Sequence, residues 1–444
     1  MRQALLFAAA LAASGCAEAE ERPQWLVHIG TDATVPAFGD RVRVELIAAD
    51  GSVCAECQRT FDAAELPISF GVEPGSDDPP RLRITLYRSA VTDSEGEPAP
   101  PLIELLASLP ELSSEVVSLV APLRMSCFGP RSNLALGEGC DPSSGERRSD
   151  LVLEAGEANE LPATGSFDGE APECAGEEPG MVCVPGGVFL MGSATYVPLG
   201  VEFDPSPEQL VRARSLWLDA DEMTVSAMRE LVKSHDLDAP VEQGDDPYCT
   251  YTSTTSDTDD LPVNCLSRKL AKEACEAQGK RLPLEVEWEL AASGGRLDAP
   301  YPWQLTDTTN AGLCAQAVLA RGTNANAEAR NGSRACVFLE SDLPEGPQPV
   351  AETRDEGHFG LRNMGGNLAE WVADDHSPFA DNECWGDSNE LRESPSCVTG
   401  ADDGVTKGGD YLFFTYNSHS FYRRAIRKTA ELEFVGFRCA KDGQ

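Results

Sequence analysis

Reactive side chains are unevenly supplied in this 444-residue chain, which has 15 cysteines but only five histidines. The histidines are His28, His235, His358, His376 and His419, and no two stand at the spacing that puts a ligand pair on one metal. Ser418-His419 sets a hydroxyl beside an imidazole, but sequence neighbours rarely orient as a nucleophile and its base. No Gly-x-Ser-x-Gly elbow exists to aim a serine. Neither a phosphate-cradling Gly-x-x-x-x-Gly-Lys-Ser/Thr loop nor a His-Glu-x-x-His zinc helix occurs. Asp257, Asp259 and Asp260 lack the glycine and terminal glutamate of an EF-hand and read as a solvated acidic loop. Cys54-Ala-Glu-Cys57 has no second pair to complete a zinc site and no βαβ surroundings, so a disulfide within a turn is expected.

Cys16 stands apart from the other cysteines. Arg2 and the apolar run Ala4 to Ala13 precede Ala13-Ser14-Gly15-Cys16, a pattern that resembles a bacterial lipobox. Residues 1–15 then form a signal peptide too short to span a bilayer, and 16–24 a lipid-anchored tether. The resemblance implies diacylglycerol on the Cys16 sulfur. With Ala17 in place of Asp after it, it also implies the outer membrane of a Gram-negative bacterium, facing the periplasm or the surface. The membrane is then a partner through acyl chains. Removing Cys16 leaves fourteen cysteines, an even set that reads as disulfides in an exported chain. Six pairs are near neighbours: Cys54 with Cys57, Cys127 with Cys140, Cys174 with Cys183, Cys249 with Cys265, Cys314 with Cys336, and Cys384 with Cys397. Sequence alone leaves that connectivity open.

The elements that must position these groups fall into two bodies. From 25 to 156 short strands alternate apolar and polar residues, as in Arg41–Ile47 and Arg81–Tyr87, and Asp50-Gly51 signals a hairpin; a small β-sandwich is expected. Residues 157–180 are rich in Glu, Gly, Ala and Pro and read as a linker. From 181 to 444 glycine, asparagine, proline and aspartate break the chain into short pieces. Helical stretches are expected at Thr224–His235, Ser267–Gln278 and Glu285–Ala292. The net charge of −39, from 74 acidic and 35 basic residues, argues against nucleic acid as a partner and favours divalent cations.

Four motifs in order give the second body a family. They are Met181-Val-Cys-Val-Pro-Gly-Gly-Val-Phe-Leu-Met-Gly-Ser193, Gly279-Lys-Arg-Leu-Pro-Leu-Glu-Val-Glu-Trp-Glu-Leu-Ala-Ala292, Phe359-Gly-Leu-Arg-Asn-Met-Gly-Gly-Asn-Leu-Ala-Glu-Trp371 and Gly436-Phe-Arg-Cys439. The segment resembles the sulfatase-modifying factor domain of formylglycine-generating enzymes. That implies an α+β fold, a C-type-lectin-like variant with little regular secondary structure, in which Cys275 pairs with Cys439. It implies a structural calcium ion held by the side chains of Asn363 and Glu370 and the carbonyls of Gly366 and Leu368, with a looser second site near Asn310 and Asp342. The family's copper-binding cysteine pair follows a Gly-Gly-Ser-Tyr/Trp turn. Here the turn is Gly408-Gly409-Asp410-Tyr411 and the two cysteine positions hold Phe413 and Ser418. Neither replaces a thiolate, so Cu(I) is not expected to bind. Tyr411, Phe413, Ser418, Arg423, Arg424 and Arg427, with Tyr422, fall where the family lines its substrate groove. The arginines serve either as a face for a ligand or as salt-bridged framework. The expectation is a non-catalytic binding or scaffolding module for a peptide, glycan or protein, the alternative being an active oxidase that converts a substrate cysteine to formylglycine.

Overall fold

A computed structural model describes residues 23–443 apart from 75–79, 101, 113–115, 130, 170–172, 197–202, 305–306, 308, 341, 352–353, 382 and 387–389. Cys16 and the whole leader lie outside the described residues. None of the described helices is long and apolar enough to cross a membrane.

The alternating N-terminal strands build two facing sheets. One orders Glu154–Ala155, Val117–Leu123, Trp25–Thr31 and Ile68–Val72. The other orders Arg59–Asp62, Arg41–Ile47, Arg81–Tyr87, Leu102–Ser108 and Phe128–Gly129. Register follows the hydrophobic pattern: Val42 lies opposite Leu86, Val44 opposite Ile84 and Leu46 opposite Leu82. Val27, Ile29, Val42, Ile84, Leu119 and Ala121 are fully buried between the sheets, as period-two strands with one wet face require. Asp50-Gly51 makes the turn, with Gly51 at φ 85°, a conformation open to a residue without Cβ.

After a first strand, Met181–Val184, the second body has a strand that serves two cores. Along Gly187–Met191 successive side chains point to opposite faces. Val188 and Leu190 enter the sandwich core, while Phe189 and Met191 enter the core of the second body. An unbroken apolar run is what a strand buried on both faces requires. Arg88 of the sandwich reaches across to fork onto Glu208 and lies 3.6 Å from Asp298. The segment expected to be a linker is tied to both bodies. Gly165 and Phe167 donate backbone bonds to Ala33 and Asp32, and Asp168 accepts from the Val188 amide at 2.7 Å.

Beyond that strand the fold is small sheets and short helices. The largest sheet orders Arg423–Arg427, Asp403–Lys407, Ala369–Asp375 and Val435–Gly436. Helix α1, Val225–His235, starts where the Thr224 hydroxyl accepts from the Ala227 amide. Helix α2, Arg268–Glu276, is capped likewise by Ser267. Helix α3, Glu285–Ser293, is buried along its whole length. Its three glutamates therefore need cations: Glu287 takes Arg281 at 2.7 Å, and the site below supplies those of Glu285 and Glu289. All seven disulfides form in the described chain: the six neighbouring pairs and Cys275–Cys439, which ties α2 to the last strands. With so little regular structure, loops closed by covalent pins lose less entropy on folding.

Candidate functional site

The 363–371 loop is folded by its own residue types. Asn363 and Asn367 take left-handed backbone at φ 63° and 68°, which asparagine tolerates better than most residues. At Gly366 a Cβ would lie 3.0 Å from the backbone of Val318, so glycine lets the two strands of chain approach without either shifting. Asn363 is fully buried; its amide donates to Asp355 at 3.0 Å and its Nδ2 to the Val350 carbonyl at 3.1 Å. Its Oδ1 is buried with no hydrogen-bond partner among the described residues.

Glu370 is placed differently from the sequence expectation. Arg438 Nε donates to both its oxygens at 2.9 and 2.8 Å, Arg438 Nη2 to Oε1 at 2.7 Å, and Trp288 Nε1 to Oε2 at 2.8 Å. Those bonds fill the lone pairs a carboxylate offers. Glu222, which no motif marks, accepts from the Leu368 amide at 3.0 Å and from Asn367 Nδ2 at 2.8 Å. Burial, then the neighbouring Glu370 and Asp355 charges, hold the Glu222 carboxyl well above the usual carboxylate range.

These observations bear on calcium directly. The unfilled amide oxygen of Asn363 is a hard donor for a divalent cation, and it lies beside the buried carboxyls of Asp355, Glu222 and Glu370, of which only Glu370 is bonded to the buried Arg438. No three Asp, Glu, His or Cys side chains converge as a metal cluster among the described residues. Asn363 and nearby carbonyls therefore fit such an ion better than the Glu370 side chain, which would have to release Arg438 or Trp288.

The tail loop shows what replaced the cysteine positions. Gly409 must be glycine, since a Cβ there would lie 2.4 Å from the Gly365 carbonyl oxygen. Asp410, where the family turn has serine, accepts from the Leu412 and Phe413 amides at 2.9 Å each. Burial pushes its carboxyl up to about 6 against the pull of Arg424. Phe413 meets Phe434 edge to face at 4.9 Å and lies 4.6 Å from the Arg424 guanidinium. Phe203, Tyr422 and Phe434 complete a ring of aromatic faces around that cation, an attraction that strengthens where water is excluded. Ser418 is buried and donates to the Thr415 carbonyl at 2.5 Å.

The groove assignment needs correction at most of its residues. Tyr411, Ser418 and Arg423 are at most 1% exposed and Arg424 only 9%, so none of them presents a face to a ligand. Arg423 forks onto Glu285 at 2.8 and 2.9 Å and stacks 4.0 Å from the Phe379 ring. Lys407, also fully buried, donates to Glu289 at 2.6 Å. These cations answer the glutamates of α3, so Arg423 belongs to the framework. Tyr411 accepts from Asn326 through its hydroxyl at 3.2 Å. Phe413 is half-buried and Arg427 alone of the six is exposed. The outward face carries other rings. Tyr301 stacks on His419 at 4.6 Å, His419 on Phe421 at 4.9 Å, Tyr196 tilts onto both, and Phe414 stacks on Tyr416 at 5.7 Å. Burial lowers the His419 pKa. The clustering of aromatics at 413–422 is the signal in the sequence that marks this face.

The mixed sheets, the pinned loops and the Gly-Gly turn define a sulfatase-modifying-factor type of domain. A model of the sulfatase-modifying factor enzyme 1-like domain matches residues 167–443, more than half of the chain, and the chain belongs to that family. It is 29% identical over 214 residues to the formylglycine-generating enzyme of Thermomonospora curvata, covering 43% of this chain and 58% of that protein. It is 31% identical over 119 residues to the inactive C-alpha-formylglycine-generating enzyme 2 of Mus musculus, covering 27% and 34%. The chain thus spans less than two thirds of either relative. The solved structure of PvdO from Pseudomonas aeruginosa aligns at a TM-score of 0.45 and 19% identity, over 62% of this chain and 98% of that one.

Proposed function

We propose that this protein is a non-catalytic member of its family, a binding module held at a bacterial envelope. One observation carries the reading: where two thiolates would grip Cu(I), Phe413 packs on Arg424 and Phe434 and the Ser418 hydroxyl is spent on a backbone carbonyl. The fourteen cysteines beyond Cys16 are all in disulfides, so no thiol in the described chain is free to substitute, and soft-metal chemistry needs thiolate sulfur. The mouse relative whose name calls it inactive supports the same reading by analogy. The rings around Phe414, which is exposed, and Tyr416, which is half-buried, are the binding face, suited to a peptide, glycan or protein ligand because stacking surface comes with little entropy to lose.

The test incubates the purified chain with copper, oxygen and a Cys-x-Pro-x-Arg peptide. No peptide is expected to exchange its sulfur and two hydrogens for one oxygen, the mass change of thiol to aldehyde. Any copper-dependent turnover, read by mass spectrometry, overturns the proposal. In a glycan or peptide array, ligands found for the native chain should weaken with Phe414→Ala/Tyr416→Ala; unchanged binding would move the binding face elsewhere.

The anchor is the second part of the proposal. A thioether lipid on Cys16 would hold the chain to the outer membrane, each buried methylene adding about 0.8 kcal/mol. The variant Cys16→Ala is expected to leave the membrane fraction for the soluble one. Unaltered fractionation would remove the anchor.

A further inference from the structure

A second cavity, on the side of α2 away from the tail loop, has the makings of a ligand site. It encloses about 720 Å³ between α2, the approach to α3, the strand Ala369–Asp375 and the segment after Arg423–Arg427. That volume lies in the range of roughly 300–1,000 Å³ typical of small-molecule sites. Leu282, Leu284, Ala373 and Val398 give it apolar walls. Five of its lining residues are Lys or Arg and one, Glu431, is acidic, and each of the five is paired with a carboxylate outside the lining, Asp375, Glu273, Glu276 or Glu287.

Two features show a built site rather than a chance hollow. First, Val398 is 80% exposed, yet its loop is fixed. Asp375 accepts from the Thr399 and Gly400 amides at 3.1 and 2.8 Å, and the Cys384–Cys397 disulfide ends one residue before it. An apolar side chain is thus held in water at the mouth of an apolar cavity. Second, the cations divide by role. Arg268 is locked onto the Ala373 and Asp374 carbonyls and onto Asp375, which Lys428 shares at 3.0 Å. Lys269 and Lys272 instead stand on the open face of α2, where their ion pairs among the described residues are with Glu273 and Glu276 of the same helix. Exposed pairs of that kind are worth little, so both ammonium groups are available to another anion.

We propose that this cavity binds a single-chain amphiphilic carboxylate, a free fatty acid. The acyl chain would lie on Leu282, Leu284 and Val398, and Lys269 and Lys272 would close over the carboxylate. A free molecule suits the site better than a bilayer, because a concave site of about 720 Å³ takes a single chain that a flat membrane surface cannot insert as a whole.

Calorimetry of the full chain separates the contributions. Decanoate is expected to bind saturably at one site. Acetate, which has the head alone, and decyltrimethylammonium, which has the same chain under the opposite charge, are not. Lys269→Glu/Lys272→Glu should weaken decanoate by about tenfold; both side chains are exposed, so the fold should survive. Val398→Asp, at an equally exposed position, should weaken it as well. No saturable decanoate binding, equal binding of the cationic analogue, or unchanged affinity in both variants would each overturn the site.

Discussion

Replacing Arg438 with Met is expected to lower the unfolding free energy by about 3–5 kcal/mol, the cost of removing one partner from a buried ion pair. Arg438 and Glu370 are both fully buried, and the guanidinium also donates to the Asp219, Ala220 and Arg362 carbonyls. Methionine fills much of the volume but answers none of these acceptors. The Glu370 charge would be left beside Glu222, which burial and Glu370 already hold protonated beyond the usual range. Adding Glu370→Gln should recover part of the loss, because the stranded charge goes with it. The measurement is the urea unfolding midpoint of the three variants beside the native chain. A loss below about 1 kcal/mol for Arg438→Met would show that this pair sits in a wetter, more adaptable place than its burial indicates.

Calcium is expected to stabilise the native chain by about 2.7 kcal/mol at a hundredfold excess over its dissociation constant, since ligand bound to the folded state alone adds that much. On our proposal Asn363, through Oδ1, and the carbonyls of Gly366 and Leu368 hold the ion. Glu370 adds its charge, and its side chain would join the ligands only by giving up a bond from Arg438 or Trp288. Asn363→Ala should remove the increment, because Oδ1 is buried with no hydrogen-bond partner among the described residues; the variant should also lose about 1–3 kcal/mol in chelator, since the Val350 carbonyl loses its Nδ2 donor. Melting curves in calcium and in chelator decide it. Identical curves for the native chain would sink the ion site. The two experiments are coupled: with Arg438→Met the calcium increment should grow, as a cation then answers the carboxylates alone.

Much of this protein was legible in the chain because local chemistry wrote it there. Alternation in Arg41–Ile47 and Arg81–Tyr87 announced a sandwich, since one wet face and one dry face force period two. Close cysteine neighbours became the disulfides, since a short loop can close with little else to guide it. Thr224 and Ser267 marked helix starts because a hydroxyl there satisfies an amide that has no partner within the helix. That Phe413 and Ser418 cannot act as thiolates needed no coordinates, because neither carries sulfur wherever it points.

Long-range pairing was not legible. An arginine in a sequence announces a positive charge, not its partner, so Arg423 read equally as a ligand contact or as framework until Glu285 appeared 138 residues away. The same holds for Glu222, which stands outside every motif, and for Gly187–Met191, whose apolar run signals burial without saying that two bodies share it. By itself, the sequence determined which residue types stand in the tail loop and where the loops are pinned, because those depend on residue type and short spacing. Only the tertiary structure decided which charges neutralise each other, which rings face outward and which cavity gathers the cations. Those depend on groups far apart in the chain meeting where water is excluded.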